Sequence, residues 1–148
     1  MKQVNWNNIF LADDDAEDCE IFAEALKEIN AEARLTSSRN GHELMELLQT
    51  FPEPAPDVIF LDLNMPIKNG YQCLKEIREN PALKDHIVVI FTTSSLQEDI
   101  DLMYRLGANL YITKPSDYDR LKEIIQTVFS EDRADNLLNP ERHNFTLS

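Results

Sequence analysis

Four uninterrupted apolar runs, rich in Val and Ile, are the feature that most limits how this chain can fold. They are residues 9–12, 58–61, 87–91 and 110–113. Runs of this length are typical of strands that are buried on both faces of a parallel sheet. Helical patterns separate the runs, and right-handed crossovers would place those helices on both faces of the sheet. The sequence therefore predicts an α/β protein, a doubly wound three-layer α/β/α sandwich.

Each apolar run ends in a polar or charged residue. Those residues are Asp13 and Asp14, Asp62, Thr92, and Lys114. Ligand sites in open parallel sheets form just beyond the carboxyl ends of the strands. We therefore expect three carboxylates, a hydroxyl and an ammonium to meet at one edge of the sheet.

The segments between the runs carry helical spacing, apart from residues 33–36, whose alternation suits an edge strand with one wet face. The predicted apolar helix faces are Ile21, Phe22, Ala25, Leu26 and Ile29; Leu44, Leu47, Leu48 and Phe51; Cys73, Leu74 and Ile77; and Leu121, Ile124, Ile125 and Val128. A further helix is predicted over residues 95–105. Residues 51–56 contain three prolines and predict a stiff connector.

Helix boundaries are predicted from capping residues. Asp15 is the expected N-cap of the first helix, and Ser95 with Glu98 suits a capping box at the fourth. Gly107 suits the left-handed position after that helix. The fifth helix is expected to start at Ser116, with Asp119 three residues on.

Composition and charge argue against several classes of function. The 148 residues carry a net charge of −13, which argues against a nucleic-acid surface and against binding to anionic membranes. No apolar run approaches the roughly twenty residues that span a bilayer, and residues 1–6 lack the apolar core of a secretion signal. The two cysteines, Cys19 and Cys73, are expected to be reduced thiols. We therefore expect a cytoplasmic protein that binds neither nucleic acid nor membranes.

The expected cluster of aspartates has a chemical logic of its own. Carboxylates held close together repel unless a cation neutralises them, and Mg²⁺ suits hard oxygen ligands with room for water. Asp62 could then act as a nucleophile toward a phosphoryl donor. Lys114 and the metal would offset the charge of the phosphoryl group, and Thr92 could donate a hydrogen bond to it.

Ordinary structural explanations also exist for these residues. Residues 13–15 could be a solvated charge cluster at a helix N-terminus, and residues 92–95 could be an N-cap run. Lys114 could be a surface lysine, and Tyr111 could serve only sheet packing. His42, His86 and His143 are too scattered to suggest a metal site.

Two other functional classes fit part of the pattern. An FMN carrier of the flavodoxin type would need a Ser/Thr/Gly loop after the first strand, where this chain has three aspartates that would repel a phosphate. An acid phosphatase with an aspartyl-phosphate intermediate typically needs Asp-x-Asp-x-Thr, and Asn64 stands where the second acid would be. A magnesium-dependent phosphoaspartate without turnover of phosphate monoesters would distinguish this protein from the phosphatase.

Several motifs in fixed order resemble the receiver domain of two-component response regulators over roughly residues 7–129. The motifs are Ala12-Asp13-Asp14-Asp15, Leu61-Asp62-Leu63-Asn64-Met65-Pro66 with Gly70, Phe91-Thr92-Thr93-Ser94, Gly107-Ala108-Asn109 and Tyr111-Ile112-Thr113-Lys114-Pro115. The resemblance implies a flavodoxin-like fold, a five-stranded parallel sheet with strand order 2-1-3-4-5. The finer similarity is to stand-alone receivers associated with phytochrome-type or hybrid histidine kinases.

The resemblance also implies roles for individual residues. Asp62 would be the phosphoacceptor, and the Mg²⁺ ligands would be Asp14, Asp62, the backbone carbonyl of Asn64 and, through water, Asp13. Thr92, Thr93, Lys114 and Tyr111 would bind the phosphate or switch with it. The peptide bond before Pro115 would be cis. The phosphoryl donor would be a histidine kinase or a phosphotransfer protein.

Domain organisation and output follow from the same resemblance. Residues 1–130 would form the receiver domain, and residues 131–148 an extension without a separate output domain. The protein would not be an enzyme beyond assisting its own phosphotransfer and dephosphorylation. It would signal by binding an unknown downstream protein, or by forming a homodimer, through the fourth helix, fifth strand and fifth helix. Leu137, Leu138, Phe145 and Leu147 predict an irregular extension that docks on its own domain or on a partner subunit.

Overall fold

The structure is a computed structural model that describes residues 6–50, 55–130 and 136–148. Within these ranges one parallel sheet has the order β2-β1-β3-β4-β5-β6. The strands are β1 (Asn8–Ala12), β2 (Arg34–Ser38), β3 (Val58–Leu61), β4 (Val88–Thr92), β5 (Leu110–Thr113) and β6 (Thr146–Leu147). The predicted order 2-1-3-4-5 is confirmed. The two-residue strand β6 adds to the five predicted strands and is too short to show a pattern in the sequence.

Helices cover both faces of the sheet, as the sandwich prediction required. They are α1 (Ala16–Ile29), α2 (Gly41–Thr50), α3 (Gly70–Glu79), α4 (Gln97–Leu106) and α5 (Tyr118–Val128). Helices α1 and α5 share one core with alternate residues of the central strands. The other strand residues pack against α2, α3 and α4. No helix among the described residues is long and apolar enough to cross a membrane.

Local interactions explain where the helices begin. Asp15 caps α1 as predicted, by accepting the backbone N–H of Asp18 at 3.1 Å. Gly107 ends α4 with φ of 95°, also as predicted. Asn69 and Gln72 form a capping box at α3, which was not among the predicted helix starts.

Two predicted helix starts are wrong. Helix α4 begins at Gln97, after Leu96, which has no side-chain cap, so Ser95 and Glu98 form no capping box. The nearby Ser94 hydroxyl instead accepts the Leu96 N–H and donates to Asp99. Helix α5 begins at Tyr118 rather than Ser116, because the Asp117 carboxylate accepts the Asp119 N–H and becomes the cap.

Two apolar residues that were predicted to be buried are exposed, while Ile29, Leu47 and Leu147 are only partly buried. Ile21 is 39% exposed, although its spacing placed it on the apolar face of α1. It borders a cavity of about 310 Å³ between α1 and α5. Leu138, in the C-terminal extension, is 63% exposed. Phe51 and most of the proline-rich connector lie outside the described residues.

Arg78 joins α3 to the neighbouring loops by hydrogen bonds. Its guanidinium donates to the backbone carbonyls of Lys84 and His86 at 2.8 Å each, and to that of Gly107 at 2.9 Å. It also donates to the Asn109 side chain at 2.8 Å. These bonds join α3 to the loop before β4 and to the turn before β5, at the end of the sheet opposite the predicted pocket.

Residues 136–148, the C-terminal segment, dock on the chain's own domain. Leu137 and Phe145 are each 1% exposed, and the Phe145 ring meets Tyr104 of α4 with 5.1 Å between ring centroids. The Tyr111 N–H of β5 donates to the Phe145 carbonyl at 2.8 Å, and β6 continues this pairing. The predicted docking on the chain's own domain is confirmed for Leu137 and Phe145, whereas Leu138 is exposed. The expected irregular form is wrong, because β6 extends the sheet.

Candidate functional site

The carboxyl ends of β1, β3, β4 and β5 lie side by side, so the polar residues after them converge. Backbone hydrogen bonds between neighbouring strands align these residues at the same edge of the sheet. The Asp62 N–H donates to the Ala12 carbonyl at 3.0 Å, and the Lys114 N–H donates to the Thr92 carbonyl at 2.7 Å. Each of Asp13, Asp14 and Asp62 has a carboxylate oxygen within 4.8 Å of the other two. We call these three aspartates the acidic pocket.

Lys114 reaches from β5 into the acidic pocket. Its ammonium lies 2.7 Å from Asp13 Oδ2, 3.2 Å from Asp62 Oδ2 and 2.9 Å from Asp18 Oδ2. The Lys114 side chain is only 9% exposed. It also lies 5.5 Å from the centroid of the Phe91 ring. The lysine is therefore a buried cation within an acidic cluster, not a surface lysine.

Burial and the neighbouring charges shift the pKa values of Asp13 and Lys114 in opposite directions. Burial raises the pKa of Asp13 to about 6, although the hydrogen bond from Lys114 opposes the shift. Burial lowers the pKa of Lys114, but its hydrogen bonds to Asp13 and Asp18 and the charge of Asp62 raise that pKa overall. Lys114 is therefore protonated at neutral pH, with its charge directed at the carboxylates.

The three aspartates of the acidic pocket differ in what their oxygens do. Asp13 is fully buried, and its Oδ1 accepts the Asp15 N–H at 3.0 Å while its Oδ2 faces Lys114. Asp14 is exposed. Asp62 is 6% exposed, and its Oδ1 is approached only loosely by the Asn64 N–H, at 3.4 Å. Asp62 thus combines burial with an oxygen that is weakly engaged by the protein.

Thr92 is fully buried, and no partner for its hydroxyl is found among the described residues. A buried hydroxyl without a partner costs about 1–3 kcal/mol, so this position favours a ligand that accepts its hydrogen bond. Thr93, by contrast, is exposed.

Tyr111 is fully buried below the pocket rather than in it. Its hydroxyl donates to the Ser94 carbonyl at 2.8 Å. Asp99 of α4 accepts the Ser94 hydroxyl at 2.6 Å and the Tyr71 hydroxyl of α3. The β4–α4 loop that follows Thr92 is therefore tied to α3, α4 and β5.

The loop after Asp62 is tightly constrained. Gly70 begins α3 so close to Asp62 that an added Cβ would lie 2.3 Å from the Asp62 carbonyl oxygen. Ile67 has φ of 69°, in the left-handed region that β-branched residues rarely adopt, and its side chain is 79% exposed. The loop therefore carries backbone strain within a few residues of Asp62.

The residues present suit a divalent cation. Lys114 supplies one positive charge against the three carboxylates of the acidic pocket, which leaves two negative charges among these four groups. Mg²⁺ takes one or two carboxylates, and completes its shell with water and phosphate oxygens. The acidic pocket thus fits both Mg²⁺ and a phosphoacceptor aspartate.

Asp18 is a residue of the site's charge cluster that sequence reasoning missed. It occupies the first turn of α1, where an acidic residue is explained by the helix dipole alone. Its contact with Lys114 spans 96 residues of sequence. Only the folded structure, in which the first turn of α1 meets the residue that follows β5, shows that Asp18 belongs to this cluster.

The remaining candidate groups stay outside the site chemistry. Burial raises the pKa of the Cys19 thiol to about 11 and that of the Cys73 thiol to about 12, so both remain protonated near neutral pH. His42 pairs with Glu46 on α2, and His143 pairs with Glu141. His86 lies beside Arg78 at the far end of the sheet.

Comparison with known proteins gives one family. The family model described as the response regulator receiver domain matches residues 9–126. The response regulator Rcp1 of Synechocystis is 36% identical over 126 residues, covering 82% of this chain and 86% of that protein. A probable cyclic di-GMP phosphodiesterase of Vibrio cholerae is 30% identical, but the match covers only 30% of its length.

Solved structures agree with this result. The phosphorylated cyanobacterial phytochrome response regulator RcpA superposes with a TM-score of 0.76 at 34% identity, over 84% of this chain and 94% of that one. The Mn²⁺-bound form of Rcp1 gives a TM-score of 0.75 at 35% identity, over 82% and 91%. With the converging pocket and the strand order, these matches show that the chain belongs to the response regulator receiver domain family of two-component signalling, and that it resembles the stand-alone, phytochrome-associated members.

Proposed function

We propose that this receiver accepts a phosphoryl group on Asp62, in a Mg²⁺-dependent reaction, from the phosphohistidine of a histidine kinase or phosphotransfer protein. The observation that carries the proposal is the position of the Lys114 ammonium, which lies 3.2 Å from Asp62 Oδ2. Carboxylate oxygens of Asp13 and Asp14 lie within 4.8 Å of an oxygen of the same Asp62 carboxylate. Similarity to RcpA, a phytochrome response regulator, supports a kinase of the phytochrome type as the donor.

Asp62 is the best nucleophile of the three aspartates. Both oxygens of Asp13 already accept hydrogen bonds, and Asp14 is exposed. Within the part of the chain that the structure describes, Asp62 Oδ1 has only the 3.4 Å contact from Asn64, so it is the oxygen best able to attack phosphorus.

The other pocket residues stabilise charge. Lys114 and the Thr92 hydroxyl would each donate a hydrogen bond to the phosphoryl oxygens. Asp14, Asp62 and the Asn64 carbonyl would hold Mg²⁺, with Asp13 acting through water. The bound metal supplies positive charge for the phosphoryl oxygens. The cis Lys114–Pro115 bond and a role for the exposed Thr93 remain predictions.

The phosphorylated state would be transmitted through Thr92 and Tyr111. A phosphoryl oxygen would give the Thr92 hydroxyl the partner that it lacks among the described residues. Tyr111 is already buried, so phosphorylation would hold this orientation rather than create it. The ring lies 6.4 Å, centroid to centroid, from Phe145 of the C-terminal segment. Output through α4, β5 and α5, to a downstream protein or a second copy, would therefore involve this segment.

The test is phosphorylation by a small phosphodonor with and without Mg²⁺, followed by intact-mass measurement. Wild-type protein should gain one phosphoryl group that is acid-stable and base-labile, and only with Mg²⁺. Asp62→Asn should abolish the gain. Asp85→Asn, an exposed aspartate at the opposite end of the sheet, is the matched control and should react as wild type does.

A phosphoryl group retained in Asp62→Asn would contradict the assignment. Turnover of an organic phosphate monoester by the wild type would point to a phosphatase instead. A partner affinity and hydrodynamic radius unchanged by beryllofluoride would contradict the switch through Thr92 and Tyr111, as would an unimpaired response in Thr92→Ala.

A further inference from the structure

Lys114 also forms an ion pair with Asp18, a carboxylate that lies outside the acidic pocket. Asp18 Oδ2 is 2.9 Å from the ammonium, closer than the 3.2 Å of Asp62. The Asp18 side chain is 34% exposed, while the Lys114 side chain is 9% exposed. The ion pair therefore crosses from the first turn of α1 to the end of β5, at the rim of the site.

The ammonium has no hydrogen left for a fourth acceptor. A lysine carries three N–H donors, and Asp13, Asp18 and Asp62 each take one. Any new bond from Lys114 to a phosphoryl oxygen must therefore weaken one of these three. Asp13 lies buried beneath the ammonium, and Asp62 carries the phosphoryl group itself.

Asp18 cannot follow the ammonium toward the phosphoryl group. Its backbone N–H is held by the Asp15 cap, at the rigid start of α1. A movement of Lys114 toward a group on Asp62 would thus stretch the bond to Asp18. The Asp18 charge also offsets the positive charge of the ammonium and repels an incoming phosphoryl donor.

We propose that Asp18 is a positioning residue that restrains Lys114 in the unphosphorylated protein, and so slows phosphorylation and shortens the lifetime of the phosphoaspartate. It acts through Lys114 and does not touch the reacting atoms. This inference rests on the proposed phosphorylation of Asp62, and it adds a residue that sets the kinetics of that site.

The experiment measures the phosphorylation rate with a small phosphodonor, the lifetime of the phosphoaspartate, and the affinity for beryllofluoride. Asp18→Asn should raise the rate, the lifetime and the affinity by about threefold to fivefold, as expected for the loss of one partly exposed charged contact. Asp18→Glu keeps the charge and should stay within about twofold of wild type, because the longer side chain can still reach Lys114.

Two controls separate restraint of Lys114 from a general change of charge. Glu17→Gln removes the same charge from an exposed residue in the same turn of α1 and should leave all three quantities near wild type. In a Lys114→Ala background, Asp18→Asn should have no further effect, because the restrained group is gone. Melting temperatures of all variants verify that the fold is intact.

Several results would overturn the inference. One is a slower reaction in Asp18→Asn, which would make Asp18 a support for Lys114 rather than a restraint. Others are an equal gain in Glu17→Gln, or a gain that persists without Lys114. Failure of wild type to take either phosphate or beryllofluoride would instead overturn the proposed function. Equal behaviour of reactive wild type and Asp18→Asn would overturn this inference alone.

Discussion

At the residue scale, the pocket depends on one buried cation. Lys114 contacts two aspartates that are almost fully buried and one at the rim. Breaking a buried ion pair by removing one partner usually costs far more than the pair contributes, because the other charge is left without compensation. Lys114 is therefore expected to matter for stability as well as for phosphate binding.

Replacing Lys114 with Met should lower the free energy of unfolding of the metal-free protein by about 3 kcal/mol, because Asp13 stays buried without its cation. Mg²⁺ should raise the melting temperature of Lys114→Met more than that of wild type, since a divalent cation neutralises the same carboxylates. Urea unfolding with and without Mg²⁺ measures both effects. Lys75→Met, at an exposed position on α3, is the control. Equal losses in the two variants would contradict this account.

The sequence predicted the convergence of Asp13, Asp14, Asp62, Thr92 and Lys114, because position at the end of a buried strand is a strong signal. It could not predict Asp18. A residue on a helix is assigned to a neighbour by packing angle and side-chain reach, and neither leaves a pattern in sequence. The same limit applies to Ile21, which helical spacing placed in the core although it borders an open cavity.

At the element scale, Arg78 determines how α3 meets the loops before β4 and β5. Burial lowers the pKa of its guanidinium, yet three backbone carbonyls and the Asn109 side chain accept its hydrogen bonds. His86 lies beside this cation, and its own pKa is lowered by burial and by the charge of Arg78, with Asp85 acting in the opposite direction.

This environment gives a pH dependence with a defined sign. His86 has a lower pKa when folded than when unfolded, so the unfolded state binds more protons below about pH 6.5. Its contribution to stability is therefore fully present above that pH, and is lost as the pH falls toward the folded pKa. His86→Gln should lose less stability than wild type between about pH 7.5 and about pH 5.5, as measured by thermal unfolding.

Gln49→Ala is the control, because Gln49 is exposed on α2 and carries no titrating group. It should follow wild type across the same pH range. An acid-side loss in His86→Gln as large as that of wild type would show that His86 does not titrate differently on folding.

The helix starts show which local signals are reliable. Asp15 was correctly predicted as a cap, and its carboxylate accepts the Asp18 N–H at the start of α1. The helix starts predicted at Ser95 and Ser116 were wrong, because several residues that can cap a helix follow one another at each place. Tertiary contacts then decide: Asp99 engages Ser94 at α4, and Asp117 takes the cap of α5.

At the scale of the whole molecule, β6 determines where the sheet ends. It covers the edge of β5, whose unpaired backbone groups would otherwise face solvent. Arg142 pairs with Asp101 of α4 and stacks on Tyr104, while Arg120 of α5 donates to the Ser148 carbonyl. The C-terminal segment is thus part of the folded domain and covers the face through which we expect output.

Phe145→Ala should lower the free energy of unfolding by about 3 kcal/mol, since the ring is fully buried among residues of α4 and β5. Leu138→Ala, at an exposed position in the same segment, should change it by no more than about 0.5 kcal/mol. Urea unfolding measures both, and size-exclusion chromatography reports whether exposure of β5 causes association. Equal effects of the two substitutions would mean that the segment adds nothing to the fold.

The left-handed Ile67 makes the loop after Asp62 a place where stability could be engineered upward. Its side chain is 79% exposed, so little packing would be lost by exchanging it, while an isoleucine at φ of 69° holds a conformation that asparagine adopts with less strain. Ile67→Asn should raise the free energy of unfolding by about 1 kcal/mol without touching the pocket. If thermal unfolding instead shows a loss, the isoleucine contributes something that outweighs its backbone strain. A gain would mean that this chain has tolerated a less stable loop beside its phosphoacceptor, and would offer a sturdier variant for trapping the phosphorylated form.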